Sequence, residues 1–433
     1  MVQKALPELC GAPFYDEPTT YLSLWNKFRA WEYDGWKPES LSWKQGCYIH
    51  AGLSDNQFNF SGPDVIRLFE SVCVNNFQTF SIGSLKHAVS CLENGLIASH
   101  GILQRNGAEE LRYYAAPPWP VYQAARSGLR VQVQAPRCYL FQVAGPTSLT
   151  VLERATDESL GDIAFLRFRN AKIAGRSVEI ARIGMSGNLA YEIRGPLAEG
   201  PEIYDAVFRA GQGHGIQRLG WRTYLVNHVE GGFPQMTWTF AAAMLEDPGF
   251  VQFLGGNLPP FHTSGSVDPA DRRARYRTPI EVGWQSTVRL NHEFIGRKAL
   301  EAEMANPRRT IATLRWNVDD VVDIYRSLFE PGDEYRTMDL PTTPTWQKGM
   351  LAHADHITRN GKRVGYSSGT TYSYHFREVI SHACIDVEFA AIGTEVEVQW
   401  GDHGRRVKNV RATVARYPYL SEGRNDQVDT TGK

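Results

Sequence analysis

The chain has 433 residues, 42% of them hydrophobic and 21% charged, with a net charge of -1 at neutral pH. That length exceeds what one core usually fills, so two or three globular domains are expected. The balanced charge and the lack of any Lys/Arg run exclude a nucleic-acid partner gripped through its phosphates. No apolar stretch is long enough to cross a bilayer and no apolar signal core opens the chain, so a cytoplasmic protein is expected. The six cysteines form no Cys-x-x-Cys pair and read as reduced, buried thiols. Only His353 and His356 approach ligand spacing, and without a third partner no metal is expected.

In chain order, the first region is dense in aromatics between Tyr21 and Tyr48: Trp25, Phe28, Trp31, Tyr33, Trp36 and Trp43. A unit then recurs. Phe58 to Ser61 leads through Gly62-Pro63 into an apolar helical pattern at Val65, Ile66, Phe69, Val72 and Cys73. Tyr139 to Ala144 leads through Gly145-Pro146 toward Leu149, Val151 and Leu152, and Ile193 leads through Gly195-Pro196 toward Ile203, Ala206 and Val207. Each reads as a strand, a turning glycine, a proline at the first helical position and an amphipathic helix. The Gly-rich stretch Gly211 to Gly215 follows a helix instead of opening one, so it is a cap and turn and no nucleotide loop. His262 to Pro279, rich in proline and charge, reads as a surface loop or linker. Beyond about residue 305 the pattern turns to period two, in Ile311 to Trp316, Glu395 to Trp400 and Val407 to Val414, which predicts a small β module, a barrel. The expected architecture is α+β with duplicated strand–helix units: residues 1–300 an intertwined α+β region, 301–420 the barrel, and 421–433 a loose tail.

Two segments carry a resemblance. Arg182-Ile-Gly-Met-Ser-Gly-Asn-Leu-Ala-Tyr-Glu192 and Gly220-Trp-Arg-Thr-Tyr-Leu-Val-Asn-His-Val-Glu230 resemble the folate-binding signature of the aminomethyltransferase (glycine-cleavage T-protein) superfamily. Glu281-Val-Gly-Trp, Phe294-Ile-Gly-Arg297-Lys-Ala-Leu and Ser368-Gly-Thr-Thr-Tyr-Ser373 resemble further motifs of that family in the same order. The resemblance implies the T-protein-like multidomain fold, tetrahydrofolate as cofactor, and residues 1–300 as the region that binds folate and substrate. It implies that Glu192 accepts the adjacent N–H groups of the pterin edge, which one carboxylate is able to do. It also implies that Arg182, Arg222, Glu230, Phe233 and Tyr372 belong to the folate site, with Arg222 to Glu230 a strand-like segment. The bland alternative is a strand glutamate paired with Arg182 or Arg194 and a structural Arg222–Glu230 pair.

Within the family, Leu314 to Phe329, Tyr372 to Tyr374 and Arg222 to Tyr224 look closer to the tetrahydrofolate-dependent aromatic O-demethylases of the vanillate and syringate type. The acidic turn of the aminomethyltransferases is here Glu93 to Gly101, with Ser99 and His100 at the acidic positions. The resemblance therefore implies transfer of a methyl group from a lignin-derived methoxyaromatic compound to N5 of tetrahydrofolate. Tyr224 is the expected aid to the departing oxygen, because a phenol matches a phenol in acidity, and His100 is a candidate proton shuttle. His50, Trp25 and Ser54 are expected around the substrate. No arginine stands in Tyr113 to Trp119, where the demethylases hold the substrate carboxylate. An aminomethyl or sulfonium one-carbon transferase and a non-catalytic folate-binding protein are the alternatives.

Overall fold

A computed structural model describes residues 8–9, 18–24, 27–53, 56–115, 118–256, 263–342 and 352–431. Trp25, Ser54, Cys10 and His262 lie outside the described residues. The architecture is mixed α and β. A five-stranded sheet runs in the order Leu85–Cys91, Ile97–Gly107, Glu110–Tyr114, Gln57–Ser61, Gln132–Gln134. A six-stranded sheet runs Phe168–Ile173, Arg176–Ala181, Ala190–Pro196, Cys138–Ala144, Cys47–His50, Ile216–Arg218. Near the C-terminus six strands close into a barrel: Arg309–Trp316, Glu378–Asp386, Lys362–Ser373, Asp355–Arg359, Glu395–Trp400 and Lys408–Ala415.

The first two repeated units have the same turn. Gly62 and Gly145 sit at φ 130 and 133, and a Cβ there would lie 2.2 Å from the Arg130 carbonyl and 2.3 Å from the Gly46 carbonyl. Glycine is required at both on two independent grounds, left-handed φ and close backbone approach. Helices Val65–Val72 and Ser148–Thr156 follow. Their caps are Asp64 and Thr147, so Pro63 and Pro146 precede the cap and do not occupy the first helical position. The third unit departs further. Pro196 closes its strand, and a short 3-10 turn, Leu197–Glu199, precedes helix Gly200–Gly211.

Each sheet is covered by helices on one face. Val65, Leu68, Phe69 and Val72 are buried against the five-stranded sheet, and Val151, Leu152, Ile203 and Val207 against the six-stranded one. Each such side chain contributes roughly 1.5–3 kcal/mol by leaving water. In the barrel strand Glu395–Trp400 the alternation is strict: Val396, Val398 and Trp400 are buried while Glu395, Glu397 and Gln399 are not.

Three expectations are corrected. Trp221–Gly231 is an α-helix, not a strand, ended by left-handed Gly232, whose N–H reaches the carbonyls of His228 and Val229. Every residue in it except Arg222 is buried. A helix buried on all sides has no polar stripe, so its sequence shows no period of 3.6. Residues 263–279 are only in part a surface loop: 268–270, 272 and 273 are exposed, but Arg275, Arg277 and Thr278 are buried. Arg277 enters the interior because its guanidinium donates to the carbonyls of Ala274 and Tyr276 at 2.8 and 2.7 Å. In the expected tail, Asn425, Val428 and Thr430 are docked, held by Arg182 as described below. No helix of the described residues is long and apolar enough to cross a membrane. The five described cysteines are free and buried.

Candidate functional site

The two sheets present their uncovered faces to a common cavity of about 150 Å³. From the five-stranded sheet come His87, His100, Ile102 and Tyr114; from the other side come Leu140, Ile183, Met185 and Glu192. Trp221, at the start of the buried helix, and the segment Phe233 to Thr237 after it close the remaining walls. Among the described lining residues there is no lysine or arginine.

Glu192 is placed by its strand. It pairs with Gln142 on one side and Ala181 on the other, at the centre of the sheet. One carboxylate oxygen accepts from Arg194 two residues along, and Oε1 has no hydrogen-bond partner among the described residues. Arg194 in turn lies over the Tyr114 ring at 3.8 Å, donates to Gln104 and approaches Glu179 at 3.6 Å. Arg112 is committed to Glu179 at 3.0 Å. Glu192 is thus paired with Arg194 through one oxygen, as in the strand-pair alternative, while the residue also lines the cavity.

Phe233 and His100 also line the cavity, as expected of a site residue. Phe233 lies 5.6 Å from the His100 ring and Trp284 4.5 Å from it, and the Phe233 and Trp284 rings are 6.0 Å from each other. His87 carried no sequence signal of its own, yet its Nδ1 lies 2.9 Å from His100 Nε2. Burial lowers the His87 pKa to about 4 and that of His100 well below its ordinary value, with His87 adding to the latter. The pair is uncharged at neutral pH.

Gln235 is a second missed residue. Its side chain lines the cavity and its Oε1 is buried without a hydrogen-bond partner. Thr237 beside it holds φ 76, a conformation that costs a β-branched residue about 1–3 kcal/mol. Nothing in the sequence marks either.

Other expected site residues stand elsewhere. Tyr224 and His50 form a stacked pair within the wall, and neither is among the cavity-lining residues. The Tyr224 hydroxyl points to the sulfur of Met185 at 3.5 Å, and burial raises its pKa well above that of an ordinary phenol. His50 Nδ1 lies 2.8 Å from the Leu219 carbonyl, and burial lowers its pKa to about 3. Arg182 is used by the tail: it donates to the carbonyls of Asn425 and Val428 at 2.6 Å each and to Thr430 Oγ1 at 2.9 Å. Arg222 pairs with Glu32 at 2.7 Å and reaches the Leu340 carbonyl at 2.6 Å, so no Arg222–Glu230 pair forms. Glu230 is buried with Lys44, Trp43 Nε1 at 3.1 Å and Ser373 Oγ at 2.5 Å, which ties the buried helix to the barrel. Tyr372 packs edge-to-face on Trp36 at 5.9 Å and lines an open groove on the barrel, away from the cavity.

A double-sheet core with a barrel, and a strand carboxylate open to a ring-lined cavity, define a folate-type one-carbon transferase, and the chain belongs to the glycine-cleavage T-protein family. The GCVT N-terminal domain matches residues 13–240, and the glycine cleavage T-protein C-terminal barrel domain matches residues 342–419. Sesamin methylene transferase of Sinomonas sp. is 38% identical over 416 residues, covering 92% of each chain. Syringate O-demethylase of Sphingobium sp. is 26% identical over 430 residues, covering 92% of this chain and 91% of the relative. The solved aminomethyltransferase of Bartonella henselae shares the fold, with a TM-score of 0.66 at 16% identity, covering 94% of this chain and 95% of its own. The relatives are named for removing or transferring a methylene, a methyl or an aminomethyl group, each a one-carbon unit.

Proposed function

We propose that this protein removes the carbon of an uncharged aromatic ether, the methyl of a methoxyaromatic compound, and passes it to N5 of tetrahydrofolate. One observation carries the reading. The open oxygen of Glu192 and the rings of His87, His100, Phe233 and Trp221 converge on a single cavity with no basic side chain among its described lining residues.

The cavity suits the cofactor. Glu192 Oε1 is an acceptor without a partner in an apolar wall of Leu140 and Ile183, which is what an N–H-bearing pterin edge requires. Tetrahydrofolate, when bound, supplies the nitrogen that accepts the carbon. The protein's own part is to fix that ring against Glu192, hold the aryl group among the aromatic side chains and keep water out. Holding both partners in line makes the transfer effectively unimolecular. That no cation stands among the described lining residues favours a donor without a carboxylate, since a buried unpaired anion is strongly disfavoured.

A second reading is favoured by the 38% identity to a methylene transferase. The carbon taken would then be a methylene held between two aryl oxygens. The two readings share the site and differ in the folate product, 5-methyl against 5,10-methylene. The aminomethyl alternative has less support. The two acidic positions are Ser99 and His100, both in strand Ile97–Gly107, where Ser99 is hydrogen-bonded to the Tyr113 hydroxyl at 2.7 Å and His100 to His87, so neither position supplies a carboxylate.

The test is a donor panel with tetrahydrofolate: veratrole, guaiacol, a methylenedioxybenzene, vanillate and veratrate. Turnover of the neutral ethers with release of the matching phenol supports the reading. Turnover confined to the carboxylates, or to an amine or sulfonium donor, contradicts it.

A further inference from the structure

The His87–His100 pair has a geometry that the reading above leaves unused. The two side chains lie diagonally across adjacent antiparallel strands, where His87 opposes Ile102 and His100 opposes Val89. Their rings are 5.2 Å apart and 19° from parallel, joined through His87 Nδ1 and His100 Nε2. Two imidazoles bonded this way share one N–H between them, so the tautomer of each is set by the other. The outer nitrogens, His87 Nε2 and His100 Nδ1, have no hydrogen-bond partner among the described residues. Both side chains line the cavity, and Phe233 faces both rings, at 6.4 and 5.6 Å.

We propose that His87 and His100 act as one unit, a hydrogen-bonded imidazole pair that carries a proton to the aryl oxygen as its bond to the transferred carbon breaks. The proposal rests on the aryl-ether reading. When the C–O bond breaks, both electrons stay on oxygen, and the nitrogen that gains the carbon loses one proton. An uncharged pair takes that proton at the outer nitrogen of one ring, passes the shared proton to the inner nitrogen of the other, and releases to the oxygen the proton already on that second ring's outer nitrogen. No oxidant or reductant is needed. Tyr224 is not placed for this role, because its hydroxyl faces Met185.

The test compares two donors that differ in the acidity of the departing phenol, veratrole and 4-nitroveratrole. A nitrophenolate departs without proton assistance; an ordinary phenolate does not. His87→Phe and His100→Phe, which keep a ring in place, should lose roughly a hundredfold in turnover of veratrole and at most about threefold with the nitro donor. His87→Gln and His100→Gln serve if the phenylalanine variants fold poorly. Equal losses on both donors indicate packing alone and overturn the proposal. An independent readout is the visible spectrum of bound 4-nitrocatechol at one fixed pH. The ionised fraction should be higher in the wild-type protein than in either variant, and identical spectra overturn the pair's role. If the spectra differ but no ether loses its carbon, the aryl-ether reading fails while proton exchange with a bound phenol stands. If carbon moves and the variants lose equally, the reverse holds.

Discussion

Tyr224 and His50 stack with ring centroids 3.9 Å apart and planes within 10° of parallel, inside the wall and not on the cavity. Both are essentially inaccessible, at 0% and 1% exposed. The tyrosine is therefore a packing element that sets the position of Met185 and His228, the latter at 2.9 Å from the same sulfur. Tyr224→Phe should keep folate affinity and leave turnover within about threefold of wild type. A loss of a hundredfold or more with unchanged folate binding would restore the hydroxyl to the chemistry.

Glu192 is the residue on which cofactor binding should depend most. Glu192→Gln replaces a carboxylate acceptor by an amide whose NH₂ faces either Arg194 or the pterin. Hydrogen bonds to charged groups contribute about 1.5–3 kcal/mol, so tetrahydrofolate affinity should fall roughly 10- to 100-fold. Isothermal titration of the full-length variant checks this, and unchanged affinity would remove Glu192 from the folate site.

Arg182 should matter for the tail and not for the cofactor. Its three donor nitrogens meet Asn425, Val428 and Thr430, and it is 4% exposed. Arg182→Ala should expose residues 421–431 to protease and cost roughly 1–3 kcal/mol in stability. Lysine should not substitute, because one ammonium cannot serve that fork of acceptors. Intact protease resistance in the alanine variant would show that the tail is held by other contacts.

A buried acid gives a pH signature. Glu39 accepts from the Tyr33 and Gly220 amides at 2.7 and 2.9 Å, and burial raises its pKa to about 7. Its folded pKa exceeds the unfolded value, so the folded state binds more protons between about pH 4.5 and 7. This group's contribution to stability is thus full below that window and lost as pH rises through it. Denaturant titrations should show a fall across the window in the wild type that is reduced in Glu39→Gln. Equal slopes in the two proteins would contradict the assignment.

The fold was legible where local pattern and tertiary role agree. Period two in Glu395 to Trp400 became a barrel strand because its alternate residues do face a core, and Gly62 and Gly145 turned because no other residue fits there. The helix Trp221–Gly231 was misread because full burial erases its stripe. At the site, Glu192, Phe233 and His100 were legible through motif position. His87 and Gln235 were not, because a cross-strand diagonal and an orphaned oxygen depend on which strands meet. Arg182, Arg222, Glu230 and Tyr372 sit in or beside the motifs yet serve the frame around the site: tail, Glu32, barrel and Trp36 respectively.

The most direct test of the central claim is carbon tracing with the full-length protein, tetrahydrofolate and an uncharged arene carrying a ¹³C-labelled methoxy or methylenedioxy carbon. Mass spectrometry should find the label on folate, one equivalent per demethylated or demethylenated phenol and only when tetrahydrofolate is present. Label that stays in the arene while folate binds normally, or that leaves without reaching folate, would contradict the account.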